Sequence, residues 1–281
     1  MPELPEVETV RRGLAPAMQG RKILRVEVRR PDLRFPFPSR FAERLEGATV
    51  DLLGRKAKFL TANMSSGETL VMHLGMTGRF TINDTATATF QHETGNDPKH
   101  DHVVFHFQDG ISVTYNDPRR FGFMELWSTD SFDQYPRLRD LGPEPLSNSF
   151  NADYLSAALS GKQTPIKAAL LDQAVVAGLG NIYVCEALHR AGVSPRRRAS
   201  TIGKKRCERL VPAINSIIAE AIDAGGSSIS DFASTQGELG YFQHSFDVYD
   251  REGTMCRKCR GQIKRIVQAG RSTFYCGSCQ R

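Results

Sequence analysis

The sequence predicts a multidomain α+β protein, and three observations carry that prediction. Short β-rich runs broken by turn signals occupy Lys22 to Tyr115, amphipathic helical patterns occupy about 150–225, and two Cys-x2-Cys pairs lie near the C-terminus.

At the N-terminus, Leu4, Val7, Val10 and Leu14 follow helical spacing. Glu3, Glu6 and Glu8 occupy the first turns and Arg11 and Arg12 come later, the order a helix dipole favours, so residues 3–18 read as a helix. The runs KILRVEV, TVDLL, KFLTANM, TLVMHL, HVVFHF and ISVTY then read as strands. Between the last two, Asp109-Gly110 supplies the positive φ angles of a tight hairpin. Hairpin-linked strands beside one helix point to a β-sandwich or flattened barrel, giving an N-terminal domain over 1–135. The polar stretch 83–98 reads as a long mobile loop with no assigned role.

GPEPL at 142–146 punctuates a linker placed at 136–150. DYLSAALS, PIKAALLD, NIYVCEALHRAG and KKRCERLVPAINSIIAEAIDAG follow, giving an all-α domain over 151–225. Residues 226–248 return to a Gly- and Ser-rich composition suited to closing over a ligand, and 249–281 form a cysteine module.

The 281 residues and 40% hydrophobic content suffice for two ordinary domains and a small appendage. MPELPEVETV has no basic-then-apolar leader, and no stretch approaches ~18 uninterrupted apolar residues, so the chain reads as a soluble cytoplasmic protein without membrane association. The net charge is +6, yet residues 251–281 hold eight Lys/Arg against the single acid Glu252, leaving 29 basic and 30 acidic residues elsewhere. Such concentration fits a polyanion partner, with a solubilising tail as the ordinary alternative.

Six cysteines in a chain of this kind point to metal rather than disulfides. Cys256 and Cys259, then sixteen residues, then Cys276 and Cys279 match a four-thiolate zinc ribbon holding one structural Zn2+, with no open position for catalysis. The intervening segment reads as a hairpin turning near Gly270-Arg271. Arg271 at its tip is either an exposed turn residue or a phosphate contact. Cys185 and Cys207 read as buried helix thiols without a role.

Gly178-Leu179-Gly180 joins two helices, with Asn181 read as the N-cap of the second. Its free N–H groups, with Lys167 nearby, suit a phosphate, or Asn181 is simply a cap. On other loops, Met76 ends HLGM, and Arg119 and Phe121 follow the Asp117-Pro118 turn. One guanidinium and two apolar tips suit the hole left by an extruded nucleotide, although each residue taken singly is an ordinary core or turn residue.

Removal of Met1 would make Pro2 a secondary amine with a pKa near the ~8 of α-amino groups, nucleophilic at neutral pH; the alternative is a first-turn helix proline. Glu3 and Glu6 lie beside that amine on neighbouring helical positions, either to move protons or as dipole-favoured acids. Lys58, within a strand pattern, either leans toward a phosphate near the amine or is an ordinary exposed lysine.

Taken together, PELPEVETVRRGL, KAKFL, HLGMTG, KHDH, DPRRFG, GPEPL, GLGNIY and the four-cysteine ribbon resemble the formamidopyrimidine-DNA glycosylase family, which includes endonuclease VIII. The resemblance runs in order from Pro2 to Cys279. It implies an N-terminal helix on a two-layered β-sandwich, a helix-two-turn-helix domain and a C-terminal zinc finger, with DNA in the cleft between. By the same resemblance Pro2 is the nucleophile, Glu3 its acid/base, Glu6 a supporting carboxylate and Lys58 a phosphate-orienting lysine. Met76, Arg119 and Phe121 resemble the residues that fill the void opposite a flipped base, with Arg119 facing the orphaned cytosine. His100, Lys167, Asn181, Tyr241 and Arg271 resemble backbone contacts, and 225–242 resembles the lesion-capping loop. The stretch 83–98 is longer and more polar than the family pattern.

The implied activity is that of a bifunctional glycosylase and AP lyase. It excises oxidised purines opposite cytosine from double-stranded DNA through a Pro2 Schiff base, then cleaves the strand by β,δ-elimination, as a monomer and with no small-molecule cofactor. The rival readings are an endonuclease VIII-like enzyme for oxidised pyrimidines and a non-catalytic zinc-ribbon DNA-binding protein.

Overall fold

A computed structural model describes residues 1–84, 97–227 and 240–281. Most of the polar stretch 83–98 and of the expected capping loop 225–242 lies outside the described residues. The chain divides into one unit of Met1–Arg139 with Gly225–Tyr241 and a second of Asp140–Ala224 with Phe242–Arg281.

In the first unit, α1 (Leu4–Met18) opens on an N-cap at Glu3. It buries Val7, Val10 and Leu14 of the expected stripe, with Met18 one turn beyond. Each such burial stabilises by roughly 1.5–3 kcal/mol. The stripe joins one core made by two antiparallel four-stranded sheets.

The first sheet orders β1 (Ile23–Val28), β6 (Asp101–Phe107), β7 (Ile111–Asn116) and β5 (Arg79–Asp84) as β1-β6-β7-β5. The second orders β2 (Val50–Lys56), β3 (Phe59–Met64), β4 (Glu68–His73) and β8 (Phe123–Ser128) as β2-β3-β4-β8. The short α2 (Phe41–Leu45) adds Phe41 and Leu45 to the core. Alternate residues face inward, as in Leu60, Ala62 and Met64 of β3 and Val103, Phe105 and Phe107 of β6. This is the two-layered sandwich, and the expected hairpin places Asp109 at φ 64°.

Two strands were not foreseen. RFTIND offers only Phe80 and Ile82 as apolar positions, and FMELWS buries its first two residues together, which breaks period-2 alternation. Pairing decides both: β8 runs against β4 from Glu68↔Ser128 to His73↔Phe123, and β5 against β7 from Arg79↔Asn116 to Asp84↔Ile111.

The second unit contains α3 (Ala152–Leu159), α4 (Ile166–Leu171), α5 (Asn181–Arg190) and α6 (Lys204–Asp223), then β9 (Ile263–Gln268) and β10 (Arg271–Cys276). In α6, Cys207, Leu210, Val211, Ile214, Ile217, Ile218 and Ala221 form the buried stripe. The GPEPL segment is hydrogen-bonded into this unit: Ala177 N donates to Pro143 O at 3.1 Å and Leu146 N to Asn215 Oδ1 at 3.0 Å. Among the described residues no helix is long and apolar enough to cross a membrane.

Candidate functional site

The first unit gathers charge around the start of α1. Pro2, Glu3 and Glu6 are all buried there. The amine of Met1, directly before Pro2, is held below the usual α-amino value by burial, opposed by Glu3 and Glu6 and reinforced by Lys58 and Arg119. A Pro2 amine freed by loss of Met1 would lie within the same set of charges.

Glu6 makes a defined set of bonds. Its Oε2 accepts from Glu3 N at 2.9 Å, and its Oε1 accepts from Ser227 N and Ser227 Oγ, each at 2.9 Å. Gly226 takes φ 81°, a backbone conformation that favours glycine, and a Cβ there would press on Glu6 Cγ at 3.2 Å. Ser227 in turn bridges Tyr241, which is exposed. Glu6 thus ties the N-terminal backbone to Ser227 and, through its bridge, to Tyr241.

Lys58 lies in the two-residue turn between β2 and β3, not within a strand as its local pattern suggested. Ala57 takes φ 52° to close that turn, and Lys58 is left 6% exposed. His73 is a site residue that no sequence periodicity singled out. At the end of β4 this imidazole stacks on Phe123 at 5.3 Å and accepts from Gly75 N at Nδ1, 3.0 Å away. Burial first, then Lys58, Arg34, Arg137 and the N-terminal amine, lowers its pKa to about 4. Its place at the head of the HLGMTG motif is the sequence signal that points to it.

Met76, Arg119 and Phe121 come together on exposed loops, with Met76 38% and Phe121 44% exposed. The Arg119 guanidinium lies 4.7 Å from the Phe121 ring centroid. Buried Asp117 joins the two loops. Its Oδ1 accepts from Thr77 Oγ1 at 2.5 Å, and its Oδ2 from Gly122 N at 2.9 Å and Tyr115 Oη at 3.3 Å. Thr77 Oγ1 also accepts from Arg119 N at 3.2 Å. Gly75, at φ 64°, has no room for a Cβ, which would stand 2.3 Å from the Phe121 carbonyl carbon. His100, half-buried before β6, joins the same network by accepting from Asp117 N at 3.1 Å through its carbonyl.

In the second unit the helix cap is Gly180, and Asn181 is the first helical residue, a correction to its reading as the cap. Its Nδ2 donates to Ser272 O at 3.0 Å. Lys167 is fully buried rather than displayed to solvent, and its Nζ donates to the same carbonyl at 2.9 Å and to Thr273 Oγ1 at 2.7 Å. Both residues therefore fix the strand that begins at Arg271. The hairpin turns at Ala269-Gly270, and Arg271 is the exposed first residue of β10.

The Sγ atoms of Cys256, Cys259, Cys276 and Cys279 all lie within 4.8 Å of one another. The Cys256–Cys279 and Cys259–Cys276 separations are 3.8 and 3.5 Å. Tetrahedral zinc with bonds of about 2.3 Å requires edges of roughly 3.8 Å, so the donors fit one Zn2+ with no further position. Burial and hydrogen bonds with the three neighbouring thiols push the Cys279 thiol up to about 12, so a cation is needed to hold four thiolates together.

Three family models match in succession. These are the formamidopyrimidine-DNA glycosylase N-terminal domain over residues 1–124, the formamidopyrimidine-DNA glycosylase H2TH domain over 141–233, and the zinc finger found in FPG and IleRS over 255–281. The chain is 60% identical to the formamidopyrimidine-DNA glycosylase of Ruegeria pomeroyi over 283 residues and 58% identical to that of Azorhizobium caulinodans over 293, covering 100% of each chain in both cases. Among solved structures it resembles MutM (FPG) from Thermus thermophilus, with a TM-score of 0.86 and 38% identity over 99% of this chain and 98% of that one. It also resembles Lactococcus lactis Fpg in complex with abasic-site DNA, with a TM-score of 0.87 and 34% identity over 99% of each. By sequence over its whole length and by fold, this chain belongs to the formamidopyrimidine-DNA glycosylase family.

Proposed function

We propose that this protein excises oxidised purines from duplex DNA with the amine of Pro2 and then breaks the strand as an AP lyase, acting on the bacterial nucleoid. The observation that carries this reading is the buried N-terminus, where Pro2 and Glu3 start α1 among Glu6, Lys58 and Arg119. Family membership disfavours both rivals, since the relatives bear the glycosylase name and a pyrimidine-specific enzyme or passive binder is not needed to explain any group in the site.

Because Pro2 cannot reach C1′ within a duplex, the damaged nucleotide is first rotated out of the stack. Met76 and Phe121 occupy the space left behind, and Arg119, stacked on Phe121, faces the orphaned cytosine. As the C1′–N9 bond breaks, electron demand grows on the sugar, and the Pro2 nitrogen forms a bond to C1′ while the base leaves with the bonding pair. Glu3 supplies and accepts the protons of ring opening, giving an iminium. The iminium acidifies C2′–H, so successive eliminations expel the 3′ and then the 5′ phosphate. Lys58 orients a flanking phosphate, and Glu6 holds the Glu3 backbone and Ser227 together.

In the second unit, Arg271 and Asn181 face the DNA backbone, and Lys167 acts through the Ser272 carbonyl. His100 and Tyr241 contribute backbone contacts from the first unit. The bound zinc supplies folding energy to the ribbon. Borohydride treatment of the enzyme with an 8-oxoguanine:C duplex should trap a covalent complex through Pro2. Protein that retains Met1 should give none, and full trapping by such protein refutes the mechanism.

A further inference from the structure

One face of α5 is devoted to the ribbon. Asn181, Cys185 and His189, spaced i, i+4 and i+8, meet Ser272 O, the ribbon core and Cys256 respectively. Glu186 adds hydrogen bonds from the backbone N–H groups of Asp247, Val248 and Tyr249 at 2.9, 3.0 and 2.7 Å. The last of these contacts on the face is the unusual one. His189 is fully buried, and its Nε2 lies 3.5 Å from Cys256 Sγ, a side chain already assigned to the metal.

A zinc-bound Cys256 is a thiolate without a proton to give, so a hydrogen bond at that distance has one possible polarity. Nε2 must carry the hydrogen. Among the described residues the other ring nitrogen, Nδ1, has no hydrogen-bond partner; it stands 3.8 Å from Asp247 Oδ2, beyond hydrogen-bond distance.

We infer that His189 donates Nε2–H to the zinc-bound Cys256 thiolate and is a positioning residue of the metal site, contributed by the helical domain. Four thiolates on one Zn2+ carry a net double negative charge, here with Cys256 and Cys276 buried, and a donor aimed at the buried Cys256 sulfur disperses it. The same bond locks the first cysteine knuckle onto α5, so metal retention depends on a residue 67 positions away in sequence.

The test uses the full-length zinc-loaded protein with three side chains at this position. Zinc transfer to a chromogenic chelator should be about 10-fold faster in His189→Phe, which fills the space without a donor. It should stay within about threefold of the parent in His189→Gln, whose amide nitrogen reaches the Nε2 position. In the parent, long-range 1H–15N correlation spectra should show a proton on His189 Nε2. Equal release from His189→Phe and the parent overturns the inference. So does equally fast release from both variants, which would make the contact one of shape alone, and so does a bare Nε2.

Discussion

Lys167 shows how burial changes what a residue can do. An ammonium with no exposure and two acceptors on β10 is part of the second unit's interior. Lys167→Met keeps most of the bulk but removes the ammonium donor to Thr273 Oγ1 and leaves Ser272 O with Asn181 Nδ2 as donor, and should cost about 1–3 kcal/mol in urea denaturation along with weaker DNA binding. An unchanged urea midpoint would show that the ammonium serves DNA alone. His73 gives a pH dependence with a definite sign. Its folded pKa of about 4 lies below the usual 6.5, so the fold favours the neutral ring. The resulting stability is complete above pH 6.5 and lost as pH falls through 4, with a ceiling of roughly 3 kcal/mol. Comparing parent and His73→Gln urea midpoints from pH 7 to 4 should reveal a decline that the variant lacks. Neither role was legible beforehand, because the groups that pack on them, Phe123 on His73 and β10 on Lys167, come from segments distant in the chain.

At the scale of elements, the loops after β4 and β7 behave as one body because Asp117 accepts from both. Asp117→Asn keeps the shape but turns one acceptor into a donor facing Gly122 N and Tyr115 Oη. Single-turnover excision of 8-oxoguanine should slow by about 10–100-fold, the cost of displacing void-filling side chains by roughly an ångström. Cleavage of a preformed abasic site, which needs no base extrusion, should change much less. Equal losses in the two assays would assign Asp117 to the chemistry instead. The sequence placed Met76, Arg119 and Phe121 on loops, and periodicity alone found the helices α3 to α6 and six strands. It missed β5 and β8, whose pairing partners and not their own patterns make them strands.

For the whole molecule, the two units differ in what they need to stay folded. The sandwich has a continuous core running through α1 and both sheets, whereas the ribbon's cluster is small: Val248, Ile263 and Phe274 with Cys185, Cys256 and Cys276. Stripping the zinc should therefore expose the amides of 254–281 to hydrogen exchange while those of 59–72 remain protected, with DNA affinity lost. Protection of the ribbon in metal-free protein would contradict this.

The sequence by itself determined the sandwich, the helical domain, the four zinc ligands and the family, since these rest on local periodicity, turn chemistry and motif spacing. Only the tertiary structure decided that Lys167 is internal, that Glu6 anchors the distant Ser227, and that His189 meets Cys256. The physical reason is separation: the side chains concerned touch partners 67 to 221 residues away, and no local pattern encodes such contacts.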